Sequence, residues 1–373
     1  MAIRLVHTAD WHLGHPFTVF GEAAPRRQED QKQAISRLAE SAISHQVAAM
    51  LISGDLFHSS QPEPAAQEIA RLVLDRVAEH DIPVYAIAGS HDSAGAADLP
   101  PAWSHPNLTW LAQPVGEKPQ QIRIEDQDLW LYGFSGLPDW NTPLSSIARR
   151  EFEGLHVGLL HTPVGQTKRK KSQFPSPADL ADLNLDYLAL GHVHNYLEIR
   201  HSERLVGCYP GTPEALHYDE AGPRTALLLE FDAGTTKIRR IEIGSAQCVD
   251  YSFEVQDHFD GSAIIERLKE LSGPSVYAQI RLSGALEKPF DIDLVAEKVG
   301  SAPAYWRLID ETNLEKSAYL RHLAEEPTVR GYALNILLQR MSGIADARDH
   351  IKLMQALRRL ALEFDRHPAG QIK

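Results

Sequence analysis

Aspartate and histidine recur at the ends of short apolar runs in this chain. Asp10 and His12 lie in "HTADWHLG", Asp55 and His58 in "LISGDLFH", and Ser90, His91 and Asp92 in "YAIAGSHD". His161 ends "HVGLLH", and His192 and His194 lie in "LALGHVHN". A strand leaving a core delivers such side chains to loops, and α/β folds gather functional loops at strand carboxyl ends. In an extended segment residues i and i+2 point the same way, so Asp10/His12 and His192/His194 could each reach one ion. The donors are imidazole and carboxylate with no cysteine, which suits manganese, iron or zinc. Two ions about 3.5–4 Å apart could share one carboxylate and a bridging hydroxide, and Asp55 is the natural bridge. Such a hydroxide attacks at neutral pH while the ions hold phosphate oxygens, which is machinery for hydrolysing a phosphate ester. A lone strand-end histidine such as His161 is more often structural. The weight comes from five such segments in order.

These loops need a scaffold. "IRLVHT" (3–8), "AAMLIS" (48–53) and "PVYAIA" (83–88) read as buried strands, separated by amphipathic helices over 25–46 and 63–80. Continuous apolar strands between helices imply a sheet covered on both faces. Further strands are expected at 129–134, 156–161, 187–192, 226–231 and 237–243, the last two joined by the hairpin signal "DAGTT". A two-layered β core with outer helices fits this series. Near residue 250 the pattern changes. "VYAQIRLSG" (276–284) alternates, then a short helix (290–299) and a strand (304–310) follow. The expected division is 1–248 for the part bearing the motif loops, 249–315 for a small α+β module and 316–373 for a helical segment. Leu353, Leu357, Leu360 and Phe364 form an apolar stripe there, suited to its own core or to a partner.

The formal net charge of −13 argues against a general nucleic-acid binder acting through its overall field. Any such binding needs a local patch, and Lys168, Arg169, Lys170 and Lys171 in "TKRKK" offer one, with Arg26 and Arg27 as weaker candidates. The alternative for the run is a solvated loop. Two cysteines in no paired motif argue against a disulfide scaffold and for a reducing cytoplasm. The first residues carry no signal-peptide pattern, and no apolar run approaches the ~18 residues of a membrane span.

Asp-x-His, Gly-Asp-x-x-His, Gly-Asn-His-Asp (Gly-Ser-His-Asp in this chain), a lone His and Gly-His-x-His form the signature of calcineurin-like metallophosphoesterases, which this sequence resembles. Within that family "TADWHLG", "GDLFH" and "YPGTPEAL" (209–216) look most like the SbcD-type DNA repair exonucleases, including the YhaO branch. The resemblance implies a two-sheet β-sandwich flanked by helices, a small α+β capping domain and C-terminal helices. It implies two divalent ions, manganese first and iron or zinc as alternatives. Asp10, His12, Asp55 and His194 match ligands of the first ion, with Asp55 bridging, and His161 and His192 match ligands of the second. His91 matches the histidine that contacts the scissile phosphate, Asp92 the carboxylate that orients it, and His58 a histidine behind the ligands, near the substrate. Ser90 departs from the pattern, since the family carries an asparagine ligand there; the hydroxyl suggests a weakly or indirectly held second ion. The implied function is a DNA exo- or endonuclease in DNA repair, working as a homodimer with an SbcC-type coiled-coil ATPase docked on the stripe or on "YALNILLQRM" (332–341). Two other readings stay open: hydrolysis of a small or nucleotide phosphodiester, and a weakly active scaffold for the ATPase.

Overall fold

The computed structural model describes residues 2–93, 103–111, 119–133, 148–165, 174–232, 234–256, 259–300, 303–314, 317–343 and 346–366. In chain order the first elements are β1 (Ile3–Thr8), α1 (Ala24–Ser44), β2 (Ala49–Ser53), α2 (Pro64–Ala78), β3 (Val84–Ile87) and β4 (Leu108–Trp110). There follow β5 (Gln120–Ile124), β6 (Gln127–Gly133), β7 (Leu155–His161), α3 (Pro177–Ala181), β8 (Tyr187–Gly191), β9 (Leu197–His201), β10 (Arg204–Tyr209), β11 (Thr225–Asp232) and β12 (Thr235–Glu242). They make two six-stranded sheets, ordered β12-β11-β1-β2-β3-β4 and β5-β6-β7-β8-β10-β9. The chain splits into two compact units, Met1–Gln247 and Cys248–Lys373.

In the first unit the strands are apolar on both faces because both faces are covered. One face of β1, β2 and β3 contributes Val6, Met50, Ile52, Val84 and Ala86 to a core shared with Ile35, Leu38, Leu74 and Val77 of α1 and α2. The opposite face contributes Leu5, Leu51, Tyr85 and Ile87, which meet Leu129, Leu131, Val157 and Leu159 of the second sheet. Each fully buried side chain of this kind adds about 1.5–3 kcal/mol of transfer free energy. β1, β2 and β3 run parallel, and so do β6, β7 and β8. Their carboxyl ends therefore carry the motif loops. β11 and β12 pair as the hairpin expected at "DAGTT".

The second unit holds β13 (Gln247–Val255, which starts one residue before the boundary), α4 (Ser262–Glu270), β14 (Gly273–Gly284), α5 (Ile292–Val299), β15 (Pro303–Asp310), α6 (Ala318–Glu325), α7 (Val329–Ser342) and α8 (Ala347–Arg366). The sheet β13-β14-β15 and the three last helices share one core. Of the two readings of the stripe, the helix's own core takes three of its residues: Leu357 is fully buried, and Leu353 and Leu360 are partly buried and packed against that core, while Phe364 is half-buried and outside it. Exposed apolar residues of this unit include Leu294 on α5 and Ile351 on α8, and three follow at i, i+3 and i+7 on α7: Val329, 83% exposed, Tyr332, 73% exposed, and Ile336. Among the described residues no helix is long and apolar enough to cross a membrane.

Candidate metal centre

The loops after β1, β2, β3, β7 and β8 meet in one pocket, but the first pair arrives by a different route from the one expected. Asp10 and His12 are not in an extended segment. Both are left-handed, with φ of 53° and 47°, and His192 has φ of 98°. The cause is pairing between loops. The Asp10 N–H donates to the Gly54 carbonyl at 3.0 Å, that of His12 to Asp55 at 2.9 Å and that of Leu13 to Leu56 at 3.0 Å. The period-two argument therefore fails, although the side chains still meet. One donor atom each from Asp10, His12 and His194 lies within 4.8 Å of the others, and the same holds for Asp10, Asp55 and His161.

Asp55 stands at the centre. Its Oδ1 accepts from the His91 N–H at 2.8 Å. Its Oδ2 lies 3.6 Å from His12 Nε2 and 3.2 Å from His161 Nε2, and accepts from the Ser90 hydroxyl at 3.4 Å. Both of those imidazole nitrogens are buried without a hydrogen-bond partner. A buried polar atom left unsatisfied is costly, so two of them facing one carboxylate oxygen point to a missing cation. Three histidines are anchored through Nδ1, which leaves Nε2 for the pocket. His161 Nδ1 donates to the Ser53 carbonyl at 2.9 Å, His12 Nδ1 lies 3.4 Å from His58 Nδ1, and His194 Nδ1 lies 2.7 Å from Glu220 Oε1. An ionised carboxylate only accepts, so the His194 proton is on Nδ1. Such partners fix tautomer and ring orientation in metal sites. Two glycines make room: a Cβ at Gly54, which has φ of 89°, would overlap the His161 ring, and one at Gly191 would overlap the Ser53 carbonyl.

The electrostatics agree with a cation-shaped deficit. Burial pushes Asp10 up to about 6. Burial also pushes Asp55 up, but the His161 charge and then His12 more than reverse this and hold it below the usual carboxylate range. For His161 burial pulls down, and the charges of Asp55 and Asp10 overcome it, leaving it at about 9. His12 is pushed well below its ordinary value by burial, so its ring is neutral. Burial lowers His192 to about 4, helped by the charge of His161. His194 is raised against burial by its hydrogen bond to Glu220. The carboxylate and imidazole set fits a hard or borderline divalent ion.

The remaining expected residues divide. His192 reaches the pocket through its backbone, whose N–H donates to both Asp10 oxygens at 3.0 and 3.1 Å; its ring lies 5.3 Å from that of His161 and is in none of the tight donor sets. His91 and Ser90 are exposed at the rim, and the His91 ring is 4.7 Å from that of His12. Asp92 does not orient His91. Its carboxylate accepts from the N–H groups of Leu56 at 2.7 Å, Phe57 at 3.3 Å and Gly89 at 2.6 Å. It ties the loop after β3 to the loop after β2, and burial raises it to about 6. Arg27 is fully buried in α1, paired with Glu214 at 2.8 Å and Asp30 at 2.9 Å, so it cannot meet a phosphate backbone. Lys168, Arg169, Lys170 and Lys171 lie outside the described residues.

Two supports of the site carry no signal in their local sequence. Gln31 in α1 donates to the Trp11 carbonyl at 2.8 Å, bracing the left-handed loop. Glu220, 26 residues beyond His194, also accepts from the Leu216 N–H at 2.8 Å and from the Thr212 hydroxyl at 3.2 Å.

Comparison with known proteins places this geometry. The chain is 26% identical over 239 residues to the uncharacterized metallophosphoesterase YhaO of Bacillus subtilis, covering 62% of this chain and 58% of that one. It is 26% identical over 255 residues to the DNA double-strand break repair protein Mre11 of Methanopyrus kandleri, covering 62% and 55%. It is 25% identical over 260 residues to a subunit of the nuclease SbcCD of Bacillus subtilis, covering 59% and 64%. The chain thus spans somewhat over half the length of these curated relatives. The family model of the calcineurin-like phosphoesterases matches residues 3–196, more than half of the chain and every motif loop from Asp10 to His194. This protein belongs to the calcineurin-like phosphoesterase family.

Proposed function

We propose that this protein is a DNA nuclease that hydrolyses phosphodiester bonds with two divalent ions, manganese first among them. The observation that carries the reading is Asp55 Oδ2, flanked by the bare Nε2 atoms of His12 and His161. Asp10, His12, Asp55 and His194 would hold one ion, and Asp55, His161 and His192 the other. Bound there, the ions supply Lewis acidity toward the phosphate oxygens and lower the pKa of the attacking water. Attack on phosphorus breaks a P–O bond and expels an alkoxide. His91, exposed at the rim and fixed by its backbone bond to Asp55, gives that oxygen its proton. Ser90 offers only a neutral hydroxyl, and we assign the second ion a weaker hold on that account.

Two relatives are named as a DNA repair protein and a nuclease subunit, which supports DNA as the substrate and repair as the setting. An SbcC-type ATPase would dock on the exposed α7 face of Val329, Tyr332 and Ile336, and Lys168–Lys171 would contact phosphate backbone. The test is the purified protein with manganese on single-stranded DNA, double-stranded DNA and a small phosphodiester, with His91→Ala as control. DNA cleavage lost in the variant supports the reading. Cleavage of the small diester alone restricts it to that class, and no cleavage of any substrate overturns it.

A further inference from the structure

A line of imidazoles leaves the metal pocket and runs toward solvent. The His58 ring is 5.6 Å from that of His12, the His15 ring 4.7 Å from His58, and the His217 ring 5.8 Å from His15. The proposed chemistry uses none of His15, His58 or His217 as a ligand. Their protons can be placed. The Phe17 N–H donates to His15 Nδ1 at 3.1 Å, so a neutral His15 carries its proton on Nε2. His12 faces the pocket through Nε2, so its Nδ1 proton points to His58 Nδ1, and the His58 proton is on Nε2 as well. Among the described residues neither Nε2–H has a protein acceptor. His217 is exposed and offers a further ring N–H.

His15 makes this arrangement informative. The residue is only 8% exposed, and its Nε2 is not among the side-chain atoms buried without a partner, so its N–H faces the open side of the line. His58 also belongs with His12 and His91 to a donor set that could hold a cation, but His15 spends its Nδ1 lone pair on the Phe17 N–H and presents only a proton. A ring N–H suits an anion, beside a pocket that would hold the reacting phosphate.

We propose that His15, His58 and His217 form a subsite for the phosphate that flanks the scissile one. The site then prefers a phosphodiester chain to an isolated diester. This rests on the phosphodiesterase reading above and adds which substrates the site selects. Hydrogen bonds to a charged group are worth about 1.5–3 kcal/mol each, so one flanking phosphate gains roughly tenfold or more.

The experiment compares the thymidine dinucleotide with its 5′- and 3′-phosphorylated forms, using manganese-loaded protein. Binding is read by calorimetry and hydrolysis by kcat/KM in the same samples. The parent protein is expected to favour one phosphorylated form about tenfold in both. His15→Asn, which keeps an acceptor for the Phe17 N–H, combined with His217→Ala, is expected to bring the preference below about threefold. A parent without preference, or a double variant that keeps it, overturns the subsite. If no dinucleotide is hydrolysed, the binding preference alone decides the subsite, and the nuclease reading is decided by the DNA cleavage assay.

Discussion

Replacing Glu220 by glutamine should weaken one ion selectively. The carboxylate holds His194 Nδ1 at 2.7 Å from a buried position, and the hydrogen bond to His194 helps keep it ionised. Glutamine keeps the shape and one acceptor but removes the charge that would make His194 a stronger donor to an ion. Loss of such an orienting partner costs about 10–100-fold in metal affinity, which is roughly 1.4–2.7 kcal/mol. Glu220 also serves the Leu216 N–H and the Thr212 hydroxyl, so a loosened loop could imitate the effect. Thr212→Val separates the two causes, because it removes the loop contact and leaves His194 untouched. The assay is calorimetric titration of manganese into metal-free protein at pH 7, with the melting temperature followed alongside. Glu220→Gln is expected to weaken the tighter ion about 10–100-fold and spare the other. Thr212→Val is expected to lower the melting temperature with less than about a threefold change in either ion. Unchanged affinity in Glu220→Gln, or equal losses in the two variants, would refute the reasoning.

Four further outcomes follow from the geometry. Burial lowers His7 to about 3, and its folded value lies below its unfolded one, so stability is lost as pH falls from 6.5 toward 3. Between pH 7 and 5 metal-free protein should lose about 2 kcal/mol more than His7→Asn, read from denaturant midpoints; parallel losses would exclude the His7 account. Ser90→Asn should tighten the weaker ion about tenfold by adding an amide oxygen, and identical titrations of parent and variant would remove Ser90 from the ion's surroundings. His91→Ala should cut phosphodiester hydrolysis by about 10²–10⁴ with metal titration unchanged, and full activity would exclude its role as acid. Arg27→Met should cost about 3–5 kcal/mol by stranding Glu214 in the core, and adding Glu214→Gln should restore part of it; no recovery would show that the pair is not the cause.

The convergence of these residues was legible because each follows an apolar strand, and parallel strands must release their loops at one edge. Continuous apolar runs such as "AMLIS" likewise announced a sheet covered twice. What lay beyond reading was contact between loops. The left-handed turns at Asp10 and His12 come from hydrogen bonds to residues 54 and 55, which no local pattern encodes. Asp92 looked like a partner for its neighbour and instead binds backbone more than 30 residues away. Glu220 sits among Glu214 and Asp219 with nothing in its spacing to single it out. The stripe on α8 fitted a core and a partner equally, since periodicity gives a face and not what covers it.

The bond from the His192 N–H to Asp10 spans 182 positions of chain and joins the loops of two different sheets. Everything that would grip an ion is assembled across that seam. A chain growing on the ribosome has Asp10 and His12 ready early, but the far half of the grip arrives only with His192, and its brace with Glu220. Loading an ion must therefore be among the last events of folding, and a loaded ion would act as a clasp across the sandwich edge. Ion release would then loosen that edge first, and amide exchange at residues 10–12 and 192–194 would quicken before the strands behind them yield.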